Sequence, residues 1–256
     1  MNRSSSIDRR GFLQRASALT GTLLVGGCDQ LSESPSFKDV LSRAESVTKG
    51  AQRLILSGKP LAPEYSEHEL SKVFKANGST DVDDPAYQKL ASENFANWRL
   101  KVDGLVESPA EISLAELKSM PARTQITRHD CVEGWSAIGK WKGVPLSALL
   151  GQARLKPEAR YLVFHCADTL EPNAPYYESI DLIDAFHPQT ILAYEMNDQP
   201  LAIPHGAPLR LRVERQLGYK HAKYVMRIEA VESFASLGGG KGGFWEDRGY
   251  EWYAGI

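Results

Sequence analysis

A cysteine at position 131 lies between a His-Asp pair and a Glu-Gly-Trp turn, in the stretch RHDCVEGWS (128–136). The residues before it alternate in polarity, which indicates a strand that ends near the thiol. Such a thiol can pack, form a disulfide, act as a nucleophile or bind a metal. The chain contains two further cysteines, Cys28 and Cys166, so a Cys131–Cys166 disulfide and two unpaired thiols both remain open.

A nucleophilic cysteine needs a base and an oxyanion site. His129 lies two residues before Cys131 and shares its strand face, and His165 and His205 are further candidates, yet no local signature of a cysteine hydrolase surrounds them. A zinc site requires several Cys or His ligands at short spacing, and the sequence has none. The remaining option is a single thiolate that binds a metal whose other ligands come from a cofactor, a role that suits a soft sulfur donor.

A second candidate region is the basic segment 205–227, HGAPLRLRVERQLGYKHAKYVMR. It contains only one acidic residue, Glu214, and six basic residues: Arg210, Arg212, Arg215, Lys220, Lys223 and Arg227. Guanidinium and ammonium groups in such a cluster suit a phosphate-bearing ligand. The alternative is that Arg210 and Arg212, which share one face of a strand, are solvated.

Alternating and punctuated segments predict the elements that position these residues. Strands are predicted within 98–106, 123–129, 160–167, 209–215 and 223–234. A capping box of Ser113 and Glu116 predicts a helix that stops at Pro121, and Pro145 opens another short helix. The pattern predicts an α+β fold with a mainly mixed or antiparallel β core and short helices on its connections.

The N-terminus is typical of an exported protein. SIDRRGFLQ (6–14) resembles a twin-arginine signal, and LLVGGC (23–28) resembles a lipoprotein cleavage site that would leave Cys28 as the lipidated first residue. The sequence therefore predicts a signal over 1–27, a tether and helix over 28–58, and a main domain over 59–256. The expected location is the periplasm, with membrane contact through the lipid anchor.

The composition excludes several classes of protein. Hydrophobic residues make up 42% and charged residues 24% of the 256 positions, which supports a folded core. A net charge of −2 argues against a general nucleic-acid surface. The sequence also lacks a membrane-spanning run beyond the leader.

Three ordered motifs are similar to those of a known family. CVEGWS (131–136), WKGVPLSALL (141–150) and HGAPLRL with GYKHAKYV (205–225) resemble the sulfite oxidase-fold molybdopterin oxidoreductases. The resemblance runs from about Asn77 to Phe234 and is nearest to the bacterial branch that contains periplasmic methionine sulfoxide reductase catalytic subunits.

The resemblance implies that Cys131 is the protein ligand of a molybdenum–molybdopterin cofactor. The pterin dithiolene would supply further sulfur ligands, and the metal would support two-electron oxygen-atom transfer. The cofactor-binding residues implied by the matching positions are Asn77, Gly78, Cys166, His205, Arg210, Lys220, His221 and Lys223. No Cys-x-x-Cys-His haem motif occurs in the chain, so a membrane or periplasmic redox partner such as a cytochrome is expected.

Departures from the family pattern bear on the substrate. Sulfite oxidases carry a basic residue where this chain has Ala76, and they have an Arg-containing run after the cysteine. Both differences argue against sulfite as the substrate, because a dianion needs fixed positive charge. His205, conversely, is the sulfite oxidase-like choice. The C-terminal end FWEDRGYEWYAGI (244–256) matches neither branch. Its Trp245, Tyr250, Trp252 and Tyr253 form either a substrate rim or a packed tail.

The sequence thus predicts an exported molybdenum oxidoreductase that acts on a small or protein-bound substrate, with a sulfoxide as the candidate. The alternatives are a sulfite dehydrogenase, and a non-catalytic lipid-anchored binding protein with the same fold.

Overall fold

The computed structural model describes residues 60–256, together with the isolated positions Ser34, Val47 and Gly50. The predicted signal, Cys28 and almost all of the predicted tether and helix lie outside the described residues. Leu61 to Ile256 form one structural unit. Among the described helices, none is long and apolar enough to cross a membrane.

Short helices and longer strands alternate along the described chain. The helices are α1 (Pro85–Ser92), α2 (Leu114–Ser119), α3 (Leu146–Ala153) and α4 (Leu182–Ala185). The strands are β1 (Arg99–Gly104), β2 (Ala110–Ser113), β3 (Arg123–Asp130), β4 (Ser136–Pro145), β5 (Tyr161–Glu171), β6 (Ala174–Asp181), β7 (Ile191–Met196), β8 (Gln199–Pro200), β9 (Arg210–Arg212) and β10 (Val225–Val231). Single 3₁₀ turns cover Glu67–Glu69, Ile203–His205, Gly218–Lys220 and Glu246–Arg248.

The strands build two sheets. One has the order β2-β1-β10-β5-β6, in which β1 and β10 run parallel and all other neighbours run antiparallel. The other has the order β3-β4-β7-β8, with β9 added on β7, and its pairs are all antiparallel. The predicted α+β class with a mixed β core is confirmed.

Local sequence signals explain several of these elements. The Ser113 side chain accepts a hydrogen bond from the Glu116 backbone N–H at 3.1 Å, and the Glu116 carboxylate accepts one from the Ser113 N–H at 2.8 Å, so the predicted capping box starts α2. Pro145 is the N-cap of α3.

The predictions missed β2, β4, β6, β7 and β8. β4 contains Gly139, Lys140, Lys142 and Gly143, which disfavour a strand on propensity. A side chain at Gly143 would collide with the Leu192 carbonyl of β7, so this glycine permits the close pairing of two central strands. The predicted strand over 209–215 is real but shorter, since only Arg210–Arg212 pairs with β7.

The main hydrophobic core contains side chains from both sheets, among them Leu100 of β1, Phe164 of β5, Val144 of β4 and Leu211 of β9. The two sheets therefore pack against each other across these residues. The loops that leave the packed strands carry the candidate site.

Candidate active site

A concave cavity opens beside the end of β3. Its walls come from five separate parts of the chain: 77–79, 131–133, the region from Asp168 to Tyr176, 218–223, and the C-terminal residues Trp245 and Tyr250.

Cys131 is the first residue after β3 and lines this cavity. A tight turn fixes its position, because the Cys131 N–H donates to Trp135 O at 2.9 Å and the Gly134 N–H donates to Cys131 O at 3.0 Å. Gly134 adopts φ +83°, a conformation that favours glycine. Burial raises the pKa of the half-buried thiol above its ordinary value.

Both described cysteines, Cys131 and Cys166, are free thiols, so the disulfide alternative is wrong. Nor do the described residues contain any group of three or more His, Cys, Asp or Glu side chains that could hold a metal ion. A metal at Cys131 would therefore depend on ligands that a cofactor brings.

His129 is poorly placed as a base for the thiol. It is 1% exposed, and its Nδ1 accepts a hydrogen bond from Arg212 Nη1 at 3.0 Å. Burial and the neighbouring Arg212 and Arg210 hold the pKa of the imidazole well below its ordinary range. The neutral ring therefore carries its proton on Nε2, which makes no hydrogen bond to a described residue. The cysteine-hydrolase alternative loses its nearest base.

Arg210 and Arg212 stack on one indole. Their guanidinium carbons lie 4.9 and 4.4 Å from the Trp141 ring centroid, and both side chains are fully buried. The solvated-face alternative for these arginines is wrong. Arg212 is neutralised by Glu214 through two hydrogen bonds of 2.9 and 2.6 Å.

The Arg210 guanidinium has far fewer partners. Its Nη1 donates to the His205 backbone oxygen at 3.0 Å, while Nε and Nη2 are buried and make no hydrogen bond to a described residue. Burial and the adjacent Arg212 lower the pKa of Arg210 to about 9. Two guanidinium nitrogens are thus left to bind an anion.

Lys223 fastens two loops together at the cavity wall. Its ammonium donates to the backbone oxygens of Asn77 at 2.7 Å, of Pro204 at 3.0 Å and of Ser79. These three acceptors use all three donors of the ammonium. Burial and the nearby Arg210 lower the pKa of Lys223 to about 7.

Lys220 faces a different environment. Its ammonium is fully buried between the Glu178 and Glu246 carboxylates, with a 2.5 Å hydrogen bond to Glu246 Oε1 and a second bond to Glu178 Oε1. It does not line the cavity. Lys220 therefore ties the turn at Gly218–Lys220 to β6 and to the C-terminal segment.

The structure brings only part of the predicted site to the cavity surface. Asn77, Gly78, Cys131, His221 and Lys223 line it. Arg210 and the half-buried His205 lie behind this surface, and Cys166 is buried in β5 with its thiol 3.9 Å from Phe164 O. Their assignment as cofactor ligands stays a prediction, as does that of Lys220.

The lining residues that were not predicted include the polar side chains of Ser79, Asp168, Tyr176 and Tyr219. Asp168 is 3% exposed; its Oδ2 accepts a 2.5 Å hydrogen bond from the Ser79 hydroxyl, and its Oδ1 has no described partner. Burial raises the pKa of this carboxyl. A charged residue at the end of the buried run YLVFHCA was the sequence signal that pointed to it.

Comparison with known proteins identifies the family. The chain matches the oxidoreductase molybdopterin binding domain over residues 87–236. The chain belongs to this family. It is 37% identical, over 96% of its length and 87% of the relative's, to a protein of Azospira oryzae provisionally named as subunit YedZ1 of a protein-methionine-sulfoxide reductase. The protein is thus a molybdopterin-dependent oxidoreductase.

Two further relatives support the family assignment. The protein-methionine-sulfoxide reductase catalytic subunit MsrP of Xanthomonas campestris is 35% identical over 88% of this chain and 70% of the relative. Among solved structures, the sulfane dehydrogenase SoxCD of Paracoccus pantotrophus is similar with a TM-score of 0.50 and 26% identity. That match covers 54% of this chain and 39% of the dehydrogenase chain.

The residues around the cavity fit molybdopterin. Buried polar atoms without a described partner occur on Arg210, His129, His221 and Asp168, and together they offer donors for a phosphate as well as acceptors for a heterocycle. The His129 and His221 rings lie 5.1 Å apart, so the unpartnered nitrogens of these two residues are neighbours. A bound cofactor would supply two-electron redox chemistry; Cys131 would be its soft protein ligand, and Arg210 would be the side chain that binds an anionic group.

Proposed function

We propose that the protein reduces a sulfoxide to a thioether. The observation that carries this proposal is the character of the cavity: a free thiol, four aromatic side chains, and Lys223 as the one Lys or Arg among the described residues that line it. Because three backbone oxygens already engage the Lys223 ammonium, the cavity suits an uncharged substrate better than a sulfite dianion. The names of the Azospira and Xanthomonas relatives agree with this substrate class.

Reduction of a sulfoxide takes up two electrons and two protons and releases a thioether and water. The protein residues have three tasks in this reaction. Cys131 holds its thiolate at a fixed place at the cavity surface, the Asn77 loop closes the cavity through Lys223, and the aromatic side chains exclude water. Asp168 is a buried carboxyl that borders the same space, and burial raises its pKa, so it can hold a proton there.

The direct test is a comparison of substrates on holoenzyme made in a molybdenum-sufficient host. Sulfoxide reduction is followed with a reduced viologen dye, and sulfite oxidation with ferricyanide. We expect kcat/KM for methyl sulfoxides to exceed that for sulfite, and Cys131→Ser to lose the sulfoxide activity while the chain stays folded. A preference for sulfite would overturn the proposal, and so would full activity of Cys131→Ser.

Sulfur-anion oxidation is the second candidate, because the similar solved structure is a sulfane dehydrogenase. His205, the sulfite oxidase-like residue in this chain, is half-buried behind the cavity, and its backbone oxygen accepts the Arg210 bond. His205→Asn therefore separates the two reactions. We expect this variant to keep its preference for sulfoxides. An enzyme whose natural substrate is sulfite should instead lose sulfite oxidation.

We also propose that the protein is exported and anchored in the periplasm through lipidated Cys28, and that a membrane or periplasmic redox partner supplies its electrons. The basis is the twin-arginine and lipoprotein-like sequence over 6–28. The word "subunit" in the relatives' names agrees with a redox partner. Mass spectrometry of the mature N-terminus and fractionation of Cys28→Ala test the anchor. An unprocessed N-terminus, or a membrane-bound Cys28→Ala protein, would contradict it.

A further inference from the structure

The C-terminal segment divides into two parts with different surroundings. Trp245 and Tyr250 line the cavity that contains Cys131. Trp252 instead stacks on Phe234 at 5.8 Å and donates its indole N–H to Ser179 Oγ at 2.8 Å, and Tyr253 is buried. The segment therefore contains both a part that lines the cavity, with Trp245 and Tyr250, and a part that packs on the protein, with Trp252 and Tyr253. This segment lies beyond the family match, which ends at residue 236.

Tyr219, Trp245 and Tyr250 form a continuous aromatic wall. The Trp245 and Tyr250 rings stack at 5.3 Å with an interplanar angle of 28°, and Tyr219 meets Tyr250 edge-on at 5.2 Å. Tyr250 is 39% exposed, so the wall reaches from the cavity to solvent. An exposed ring that continues a buried stack offers an apolar surface to an entering molecule.

Polar contacts hold this wall in place. The Tyr219 hydroxyl donates to Glu251 O at 2.6 Å, and the Tyr176 hydroxyl donates to Tyr219 O at 2.6 Å. Lys220, the next residue, binds Glu246, which follows Trp245. The wall is therefore preorganised, and a ligand need not order it on binding.

We propose that the aromatic wall binds the apolar substituent of the sulfoxide and so selects aryl methyl sulfoxides over dimethyl sulfoxide. The inference deepens the proposed function and rests on it. A sulfoxide carries one oxygen and two carbon groups on sulfur. If the oxygen is directed to the metal site at Cys131, a carbon group must occupy the rest of the cavity, where the wall supplies ring faces. Contacts of rings with rings and with thioether sulfur are favourable.

The test uses holoenzymes of wild type, Tyr250→Ala, Tyr250→Phe and Trp245→Leu. Phe186→Ala is the matched control, because Phe186 is also 39% exposed but lies at the end of α4 and does not line the cavity. The measured quantity is the ratio of kcat/KM for methyl phenyl sulfoxide to that for dimethyl sulfoxide. We expect Tyr250→Ala and Trp245→Leu to lower this ratio by about two- to tenfold, mainly through KM. Tyr250→Phe and Phe186→Ala should keep the wild-type ratio.

Calorimetry with methyl phenyl sulfide, which needs no turnover, separates this inference from the proposed function. We expect its Kd to rise by about two- to tenfold in Tyr250→Ala and to stay unchanged in Phe186→Ala. A wild-type enzyme that reduces no sulfoxide, yet binds the sulfide through Tyr250, would refute the reaction and leave the wall as a binding surface. Unchanged ratios and unchanged Kd in both Tyr250→Ala and Trp245→Leu would overturn the inference.

Discussion

Lys220 and Arg210 are two fully buried cations in one short basic segment, and their surroundings are opposite. The Lys220 ammonium lies between two carboxylates, Glu178 and Glu246. The Arg210 guanidinium has one hydrogen bond, to a backbone oxygen, and two nitrogens without a described partner. Sequence alone assigns both residues the same task, because each belongs to the same basic segment.

The difference distinguishes a cation that is neutralised within the protein from one that has no counter-charge among the described residues. Taking a charge out of water is costly, so a buried cation needs a counter-charge. Lys220 finds it within the protein; although burial opposes ionisation, the two carboxylates raise the pKa of the ammonium. Burial also raises the pKa of Glu178, so the cluster can carry one cation and one anion. Arg210 has no such partner in the described chain, and a bound phosphate would supply it.

The largest effect is expected for Lys220→Met. Removal of the ammonium leaves two buried carboxylates without a counter-charge, which should lower the free energy of unfolding by about 3–5 kcal/mol at neutral pH. Urea unfolding of the apoprotein measures this value. The loss should shrink in acid, since protonated carboxyls no longer need the cation.

The control is Lys220→Met combined with Glu178→Gln and Glu246→Gln, which should recover much of the stability. If Lys220→Met is as stable as wild type but loses the cofactor, Lys220 is a cofactor ligand and the proposed difference between Lys220 and Arg210 is wrong.

Arg210→Met should show the reverse pattern. The free energy of unfolding of the apoprotein should change by less than about 1 kcal/mol, because the lost stacking on Trp141 is offset by removal of an unpaired charge. Cofactor affinity should fall by about 10- to 100-fold, the value of one or two charge-assisted hydrogen bonds. Pterin and molybdenum content per chain measure this loss.

Arg212→Met is the matched control for Arg210→Met, since both guanidiniums stack on Trp141 but Arg212 is paired with Glu214. It should destabilise the apoprotein by about 3–5 kcal/mol. Equal stability losses in the two variants would contradict the distinction between a paired and an unpaired cation.

The smallest expected effect concerns acid stability at His221. Burial and the cations Arg212 and Arg210, together with His129, hold the pKa of His221 well below its ordinary value, and its Nε2 donates to Gln216 O. As the pH falls, the unfolded chain takes up a proton at this histidine before the folded chain does. The contribution of His221 to stability should therefore be fully present above about pH 6.5. Below that pH the free energy of unfolding should fall by at most about 1.4 kcal/mol per pH unit.

His221→Gln should make this acid decline of the apoprotein shallower, as measured by urea midpoints at pH 7.5 and 5.5. If His221→Gln declines as steeply as wild type, His221 does not titrate on unfolding.

Much of this fold can be predicted because its signals are local. The capping box of Ser113 and Glu116 and the strand that leads to Cys131 each depend on a few neighbouring residues. The position of the Cys131 thiol at the end of this strand could be predicted for the same reason. β4 escaped prediction because the close approach of β7 requires Gly143, a long-range constraint that strand propensity does not reflect.

The charge partners within the site escaped prediction for a related reason. Glu178 lies 42 residues and Glu246 26 residues from Lys220 in the sequence. No spacing rule relates such residues, so the sequence could not show that Lys220 is neutralised within the protein while Arg210 is not. The pairing of Asp168 with Ser79, 89 residues earlier, follows no spacing rule either.

The Lys223 ammonium contacts Asn77 O across 146 positions of the chain. Contacts between such distant residues form late, because a long loop must close before they gain any energy. A ribosome-bound chain that has emerged only as far as Lys223 still lacks Trp245 and Tyr250, and with them one side of the cavity. A truncation that removes the last dozen residues should therefore yield a protein with an incomplete cavity.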